Sequence, residues 1–428
     1  MNSIQATHNQ IAVSANVREA VINAPATLDT LMYFDMANVI NLEPRREDNS
    51  NEAIGKEEPD SIYDNGALAA YSASNEKAQP QHFAFLLGYG LGSVVSATRG
   101  DGHKHIITPI TGDFDVNRSN PSFTAAQRFG KTITKRRFAS MFVDSVTATF
   151  ARDAWAKISA TIKGTGKYDV DYVEETIEAA GNAISLTLAA NAVAGSTAAE
   201  RLANIHQIKV ELATGVWTEV VCTAVSSATP AVLTITNPGG SASPAVDYKI
   251  LYRPPEAAWG TFPARVVESP LRVSELTVVS GGAWNGTAFV GGRTLTGEIK
   301  SLEYSLNNNG NCQFVPGSGG AYAGRYIRSG RVQKIKLDRE FRELIMQNHI
   351  AENDTFGIYV KCEGALYDLA YKYQVECIFP KCAVITAPIG VDDKRLSESV
   401  DVQVLEDDTY GSVIVIVQNM VDTYAAAS

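Results

Sequence analysis

The sequence predicts a mainly β protein with a few short helices and a small inserted β region. The clearest support is FVDSVTATFARDAWAKISATIKGTGKY, residues 142–168, where apolar and small polar residues alternate on both sides of a turn. A second stretch, IKSLEYSLNNNGNCQF, begins in the same way at Ile299. Helical spacing is confined to short segments.

Taken in order, residues 11–40 mix apolar and polar residues, with ATLDTLMYFDMANVI inside them, and read as one or two strands. Residues 41–80 are rich in charge, Asn, Ser and Pro and read as a long loop, either disordered or used for contact. A helix is expected over about 80–90. Pro80 suits a first turn, Phe83, Leu86 and Leu87 share a face, and Gly88, Gly90 and Gly92 end it. SFTAAQRF is a candidate strand. In the hairpin that follows, Phe142, Val146, Ala148 and Phe150 are expected on one face and Ser145, Thr147 and Thr149 on the other, with Asp144 interrupting the apolar side. Ala154, Ala156, Ile158, Ala160 and Ile162 form the returning apolar row, and GTGK closes the unit.

YDVDYVEETIEAAGNA reads as either a helix or an acidic connection. STAAERLANIHQ is the better helix, because Thr197 and Glu200 have capping-box spacing. Residues 190–265 then look like a small β insertion, dividing a first part (1–185) from a second (266–428). The last part returns to strands around one helix, for which Asp338 is the expected cap, Phe341, Leu344 and Ile345 the shared face and Asn348 the end. Residues 143–150 and 299–306 align as a weak internal repeat, with apolar positions and serines coinciding. Either a duplicated unit or the common pattern of any two such strands accounts for this.

With 428 residues, 45% of them hydrophobic, the chain can build one large or two ordinary domains. Its net charge of −10 argues against a protein that coats nucleic acid through phosphates. No run approaches the ~18 apolar residues of a membrane helix, and the N-terminus lacks the pattern of a secretory signal. Cys222, Cys312, Cys362, Cys377 and Cys382 are odd in number and form no CxxC pair, so free thiols are expected.

Chemistry-bearing motifs are weak. In GYGLG the glycines follow a helix instead of opening one, so no dinucleotide site is expected. GTGKY lacks the residues of a phosphate loop. His103 and His105, beside Asp101, would share a strand face, but no third ligand is near in sequence. No catalytic residue, cofactor or metal is expected. KTITKRR, residues 131–137, is a compact basic run in an acidic chain. Lys135, Arg136 and Arg137 are therefore candidate contacts to acidic groups of another subunit. Glu47, Asp48, Glu57, Glu58 and Asp60, with Arg45 and Arg46, are the candidates in the loop. Ser145, Thr147 and Thr149 are the candidate sheet face at a channel or seam.

The order of these pieces resembles the tail tube proteins of long-tailed bacteriophages. The stretches that carry it are AQPQHFAFLLGYGLGSV, HIITPI, the strands from SFTAAQRF to ATIKGTG, GEIKSLEYSLNNN, YIRSGRVQKIKLD, YKYQVECIFPKCAVI and DTYGSVIVIVQN. The resemblance covers most of residues 30–165 and 290–425 and lies in the order, not in a single motif. It implies a tail-tube-type β-sandwich or barrel with a flanking helix and a long loop, duplicated if the repeat is real. It implies a virion protein, made in the host cytoplasm, whose copies close into rings and stack into a tube. The rings would be hexamers, or trimers of duplicated units. Partners would be the protein itself, tape-measure, terminator and distal tail proteins, and viral DNA passing without sequence-specific binding. Other virion components (tail terminator, baseplate hub, decoration protein) and a β-scaffold carbohydrate hydrolase are the competing readings. An aromatic content of 8% offers no obvious sugar-stacking platform.

Overall fold

A computed structural model describes residues 5–52, 55–130, 135–255, 258–317 and 321–427. Antiparallel strands dominate, with three short α-helices among these residues. The chain divides into two compact units. The first comprises Met1–Gln127, Arg137–Tyr168 and Pro263–Ser428; the second comprises Arg128–Arg136 and Asp169–Phe262. The inserted region thus takes in residues 169–189, which sequence reading placed outside it.

The first unit is built on an antiparallel run of eight strands. In spatial order they are Asn41–Asp48, Ile62–Asn75, Lys157–Gly164, Lys135–Ala151, Ile299–Asn307, Val332–Glu340, Arg395–Val404 and Ile389–Asp392. A second run orders Gly92–Arg99, Gly102–Pro109, Ile414–Asn419, Lys372–Thr386, Phe356–Leu366, Leu276–Trp284 and Phe289–Thr294. The long strand Lys372–Thr386 joins the two, because its last residues pair with Arg395–Val404. Neither run closes into a barrel among the described residues, and the arrangement is a sandwich.

Helix α1 (Pro80–Leu91) lies within this sandwich, and all twelve of its residues are buried. Phe83 stacks on Phe150 of the first run at 6.0 Å, while Gly88 approaches Val94 of the second. A Cβ on Gly90 would stand 3.2 Å from Leu306 and 3.4 Å from Val143. The GYGLG glycines therefore let the helix approach its sheets, and Gly92, with φ +101°, supplies the left-handed cap.

The hairpin at 142–164 forms as expected, with one correction. Val146, Ala148 and Phe150 are buried in the main core, and Ser145, Thr147 and Thr149 are half-exposed on the other face. Phe142, however, faces the other way and stacks on Tyr326 at 4.1 Å. A bulge between Val143 and Ser145 inserts one residue, which reverses the side-chain alternation before it. Asp144 uses the bulge to accept a hydrogen bond from the Gly310 N–H at 2.6 Å and to pair with Lys163 at 2.8 Å.

Other expectations also change. Residues 41–80 are not a loop but a long hairpin, Asn41–Asp48 with Ile62–Asn75. Its outer half is exposed on both faces, so no apolar alternation marks it. Val173–Ala180 is a strand paired with Ala245–Tyr252. The last helix is α3, Ile345–Glu352, preceded by Leu344 and ended by Asn353 in the left-handed region. Asp338 does not cap it. Its carboxylate accepts hydrogen bonds from Ser301 and Ser399 on neighbouring strands, so the strand continues through it.

The aligned strands of the weak repeat turn out to be direct neighbours. Ala148 pairs with Tyr304, the same two residues that the alignment equates, so the pair lies about a local two-fold. Outward from it, each side shows a hairpin partner and then a further hairpin. In chain order one outer hairpin precedes its partner strands and the other follows them, unlike a simple tandem copy.

The second unit contains a four-stranded and a three-stranded antiparallel sheet around its own core, including Leu186, Val210, Leu233, Tyr248 and Ile250. Its helix α2, Ala198–Ala203, begins with the expected capping box of Thr197 and Glu200.

Two tests follow from the buried helix. The Asn308 carboxamide donates to the carbonyls of Gly90 (2.9 Å) and Val143 (3.1 Å) and accepts from Arg331. Asn308→Ala should lower unfolding free energy by roughly 2 kcal/mol in denaturant titration, because buried polar groups lose partners. Glu268, buried at the start of α1, accepts the Gln81 N–H at 2.8 Å, and burial pushes its carboxyl up to about 7. The native state then holds the proton where the unfolded chain has lost it. Stability should fall as pH rises from the ordinary carboxyl range through about 7, by at most about 3 kcal/mol. Glu268→Gln should remove that slope from melting curves recorded across the window.

Candidate functional site

The outward face of the eight-stranded run is a broad polar surface. Around the central strand pair one row reads Ser74, Ser159, Thr147, Ser305, Lys334 and Gln403. The adjacent row reads Lys157, Thr149, Glu303, Lys336 and Asp401. The middle of the face therefore carries small hydroxyls, and the charges beside them alternate in sign. Opposite charges directly across strands stabilise the sheet, and no stripe of one sign forms here. Ser145, Thr147 and Thr149 sit together at its centre, as the period-two reading expects.

Arg45, Arg46, Glu47 and Asp48 lie on the exposed arm made by the outer half of the first hairpin. The Arg45 guanidinium rests 4.6 Å from the Phe314 ring centroid. The arm's tip is folded by Asn49, which is 2% exposed in an otherwise solvated segment. Its carboxamide donates to Asp60 at 2.8 Å and accepts the N–H groups of Asp60 (3.1 Å) and Ser61 (3.2 Å). Lys56 and Asn49 hold the Asp60 carboxyl below the usual range, so Asp60 is occupied within the tip. Ser50 does the same to Asp48. Glu47, Glu57 and Glu58 are exposed.

Of the basic run, only Lys135, Arg136 and Arg137 are described, and none of the three is fully exposed. Residues 131–134 lie outside the described residues. Lys135 is buried in the second unit, its ammonium bonded to the Gly260 carbonyl and its N–H to Asp171 at 2.9 Å. Burial, with Arg253 and Arg128 nearby, pushes Lys135 down to about 8. The compact spacing of the run conceals the inward turn of this one side chain. Arg136 lies over the Phe129 ring at 4.9 Å, and Arg137 is half-buried.

No cluster of three or more His, Cys, Asp or Glu side chains that could hold a metal occurs among the described residues. His103 and His105 do stack, at 6.4 Å. His105 is fixed by Ser96 (2.8 Å) and Asn419 (3.0 Å), and burial pushes it down to about 4. All five cysteines are free thiols. In GTGKY, a Cβ on Gly166 would strike the Ala67 carbonyl, so this glycine serves a close chain crossing. No family model matches the chain, and no curated protein matches it either.

The tip geometry predicts a local effect. Asn49→Ala should raise the rate of limited proteolysis within residues 49–61 about tenfold, the equivalent of one or two lost hydrogen bonds. The melting temperature of the whole should change little.

Proposed function

We propose that the chain is a structural subunit of a bacteriophage tail tube, assembling into stacked rings around a channel through which DNA passes. The observation that carries the reading is the eight-stranded run, with a polar outward face and an unpaired strand at each edge. One edge hairpin exposes Ile389, Leu396 and Val391, the last at 73%. Unprotected edges and exposed aliphatic side chains on one hairpin suit joining to another copy. Rotation about a common axis would close such joins into a ring.

Two groups of four strands per chain favour a trimer over a hexamer. The hydroxyl-rich face would line the channel, offering few fixed cations to phosphates and so little counterion release on contact. The exposed arm would reach a neighbouring ring or subunit, since a two-stranded ribbon solvated on both faces has little stability of its own. Tape-measure, terminator and distal tail proteins would then be its neighbours in the virion. Other virion components remain the second reading, favoured by the same open edges.

Replacing residues 49–60 by Asn-Gly should leave circular dichroism and melting unchanged but abolish tubes in negative-stain images. Wild-type protein should show stacked rings with an open channel. A single unstacked ring would favour a terminator, and a wild-type chain that stays monomeric at high concentration would overturn the proposal.

A further inference from the structure

The outward face of the seven-stranded run, distant in role from the polar face above, carries a groove of about 930 Å³. Three cross-strand rows make its floor. The polar row is Glu363, Gln374, Gln418 and Lys104. The next is Lys361, Glu376, Ile416 and Ile106, and the third begins with Tyr359, Ile378 and Ile414. Trp284, Phe289, Tyr359 and Tyr410 pack half-buried around Ile378, Ile414 and Ile416. Phe289 and Tyr359 stack at 5.6 Å. On the polar side Tyr371 stands under the Arg99 guanidinium at 4.9 Å.

The groove is thus aromatic along one side and lined by amides and charges along the other, in a volume typical of ligand sites. Its polar groups include one with no internal use. Gln418 is 5% exposed and its carboxamide has no hydrogen-bond partner among the described residues, although it lines the groove. Gln374 donates to Glu376 at 2.6 Å, and its own carbonyl oxygen is left for a ligand. Lys104 forms no ion pair within 4.0 Å among the described residues, although its charge acts on Glu376 in the same floor.

From this arrangement we infer that the groove binds an oligosaccharide bearing an acidic group. A sugar ring has an apolar C–H face that fits an aromatic ring and a rim of hydroxyls that fits paired carboxamides. Its acidic substituent would meet Lys104. A peptide is disfavoured, because the floor strands are interior to the sheet and offer no free backbone edge to extend. Lys361 sits 2.7 Å from Glu363 and 3.9 Å from Glu376; it holds the Glu363 carboxyl below its usual range, while burial holds that of Glu376 above it.

The test uses the full chain with tetragalacturonate as the acidic probe and chitotetraose as the neutral one. Calorimetry should give a dissociation constant below millimolar for tetragalacturonate, and Trp284 fluorescence should change on binding. Tyr371→Ala and Gln418→Leu should each weaken binding about tenfold, and Lys104→Met should do so for the acidic probe alone. Unchanged circular dichroism would exclude misfolding of these variants. No heat or fluorescence change with either sugar at millimolar concentration would overturn the assignment. So would binding indifferent to all three substitutions. A shift in sedimentation caused by these variants without sugar binding would show that a protein surface occupies the groove, and would equally overturn it.

Discussion

The rest of the first unit depends on keeping a helix inside a β-sandwich. A helix buried on every side cannot send its terminal N–H and C=O groups to water, so the surrounding chain must satisfy them. At the start of α1, Gln79 and His82 form a reciprocal box and Glu268 takes the Gln81 N–H. At its end, Asn120 and Asn308 both donate to the Gly90 carbonyl, and Arg331 donates to that of Leu91 at 3.1 Å. The Arg331 guanidinium at the C-terminus matches the helix dipole, and the Glu268 carboxyl at the N-terminus does so only once it ionises, above about pH 7. These partners come from far apart in the chain, so the helix ends are not satisfied until the segments around 120, 268, 308 and 331 have come together.

This explains why parts of the sequence look functional without being so. The glycines of GYGLG resemble a binding motif because such motifs also need tight backbone geometry. Here that geometry is internal. Gly90 admits Leu306 and Val143, and Asn308 links the helix end to the strand at Val143. Asp144 breaks the apolar face for the same reason, since its bulge brings a carboxylate to the turn after Asn307.

Much of the fold was legible because one-sided burial writes itself as alternation. The strands around Val146 and Ile158, the start of α1 at Pro80 and the Thr197 box all follow local rules. The failures share a cause in solvent exposure or long-range pairing. Glu43–Asp48 reads as loop because neither face of the arm is buried, and Phe142 was misplaced because a bulge cannot be seen from one strand. Ser145, Thr147 and Thr149 were found by alternation alone. Lys135 was not, because its burial depends on Gly260 and Asp171, remote in sequence. The aromatic groove was invisible for the same reason. Its rings come from positions between 284 and 410, and only the strand order gathers them.

The two faces of the sandwich therefore differ in a way that constrains any assembly. The eight-stranded face has small hydroxyls at its centre and charges that cancel between neighbours, so it presents little to grip a passing polyanion. The seven-stranded face concentrates aromatic rings, amides and charged groups, features suited to holding a ligand in place. A closed ring lined by the first face would put the second on the side away from the channel, because the buried helix lies between them. The division of labour follows from that helix: with the main core filled around α1, the outer faces bury only two small clusters, at Phe142 and Tyr326 and at Ile378, Ile414 and Ile416, and the rest of each is free to carry a different surface chemistry.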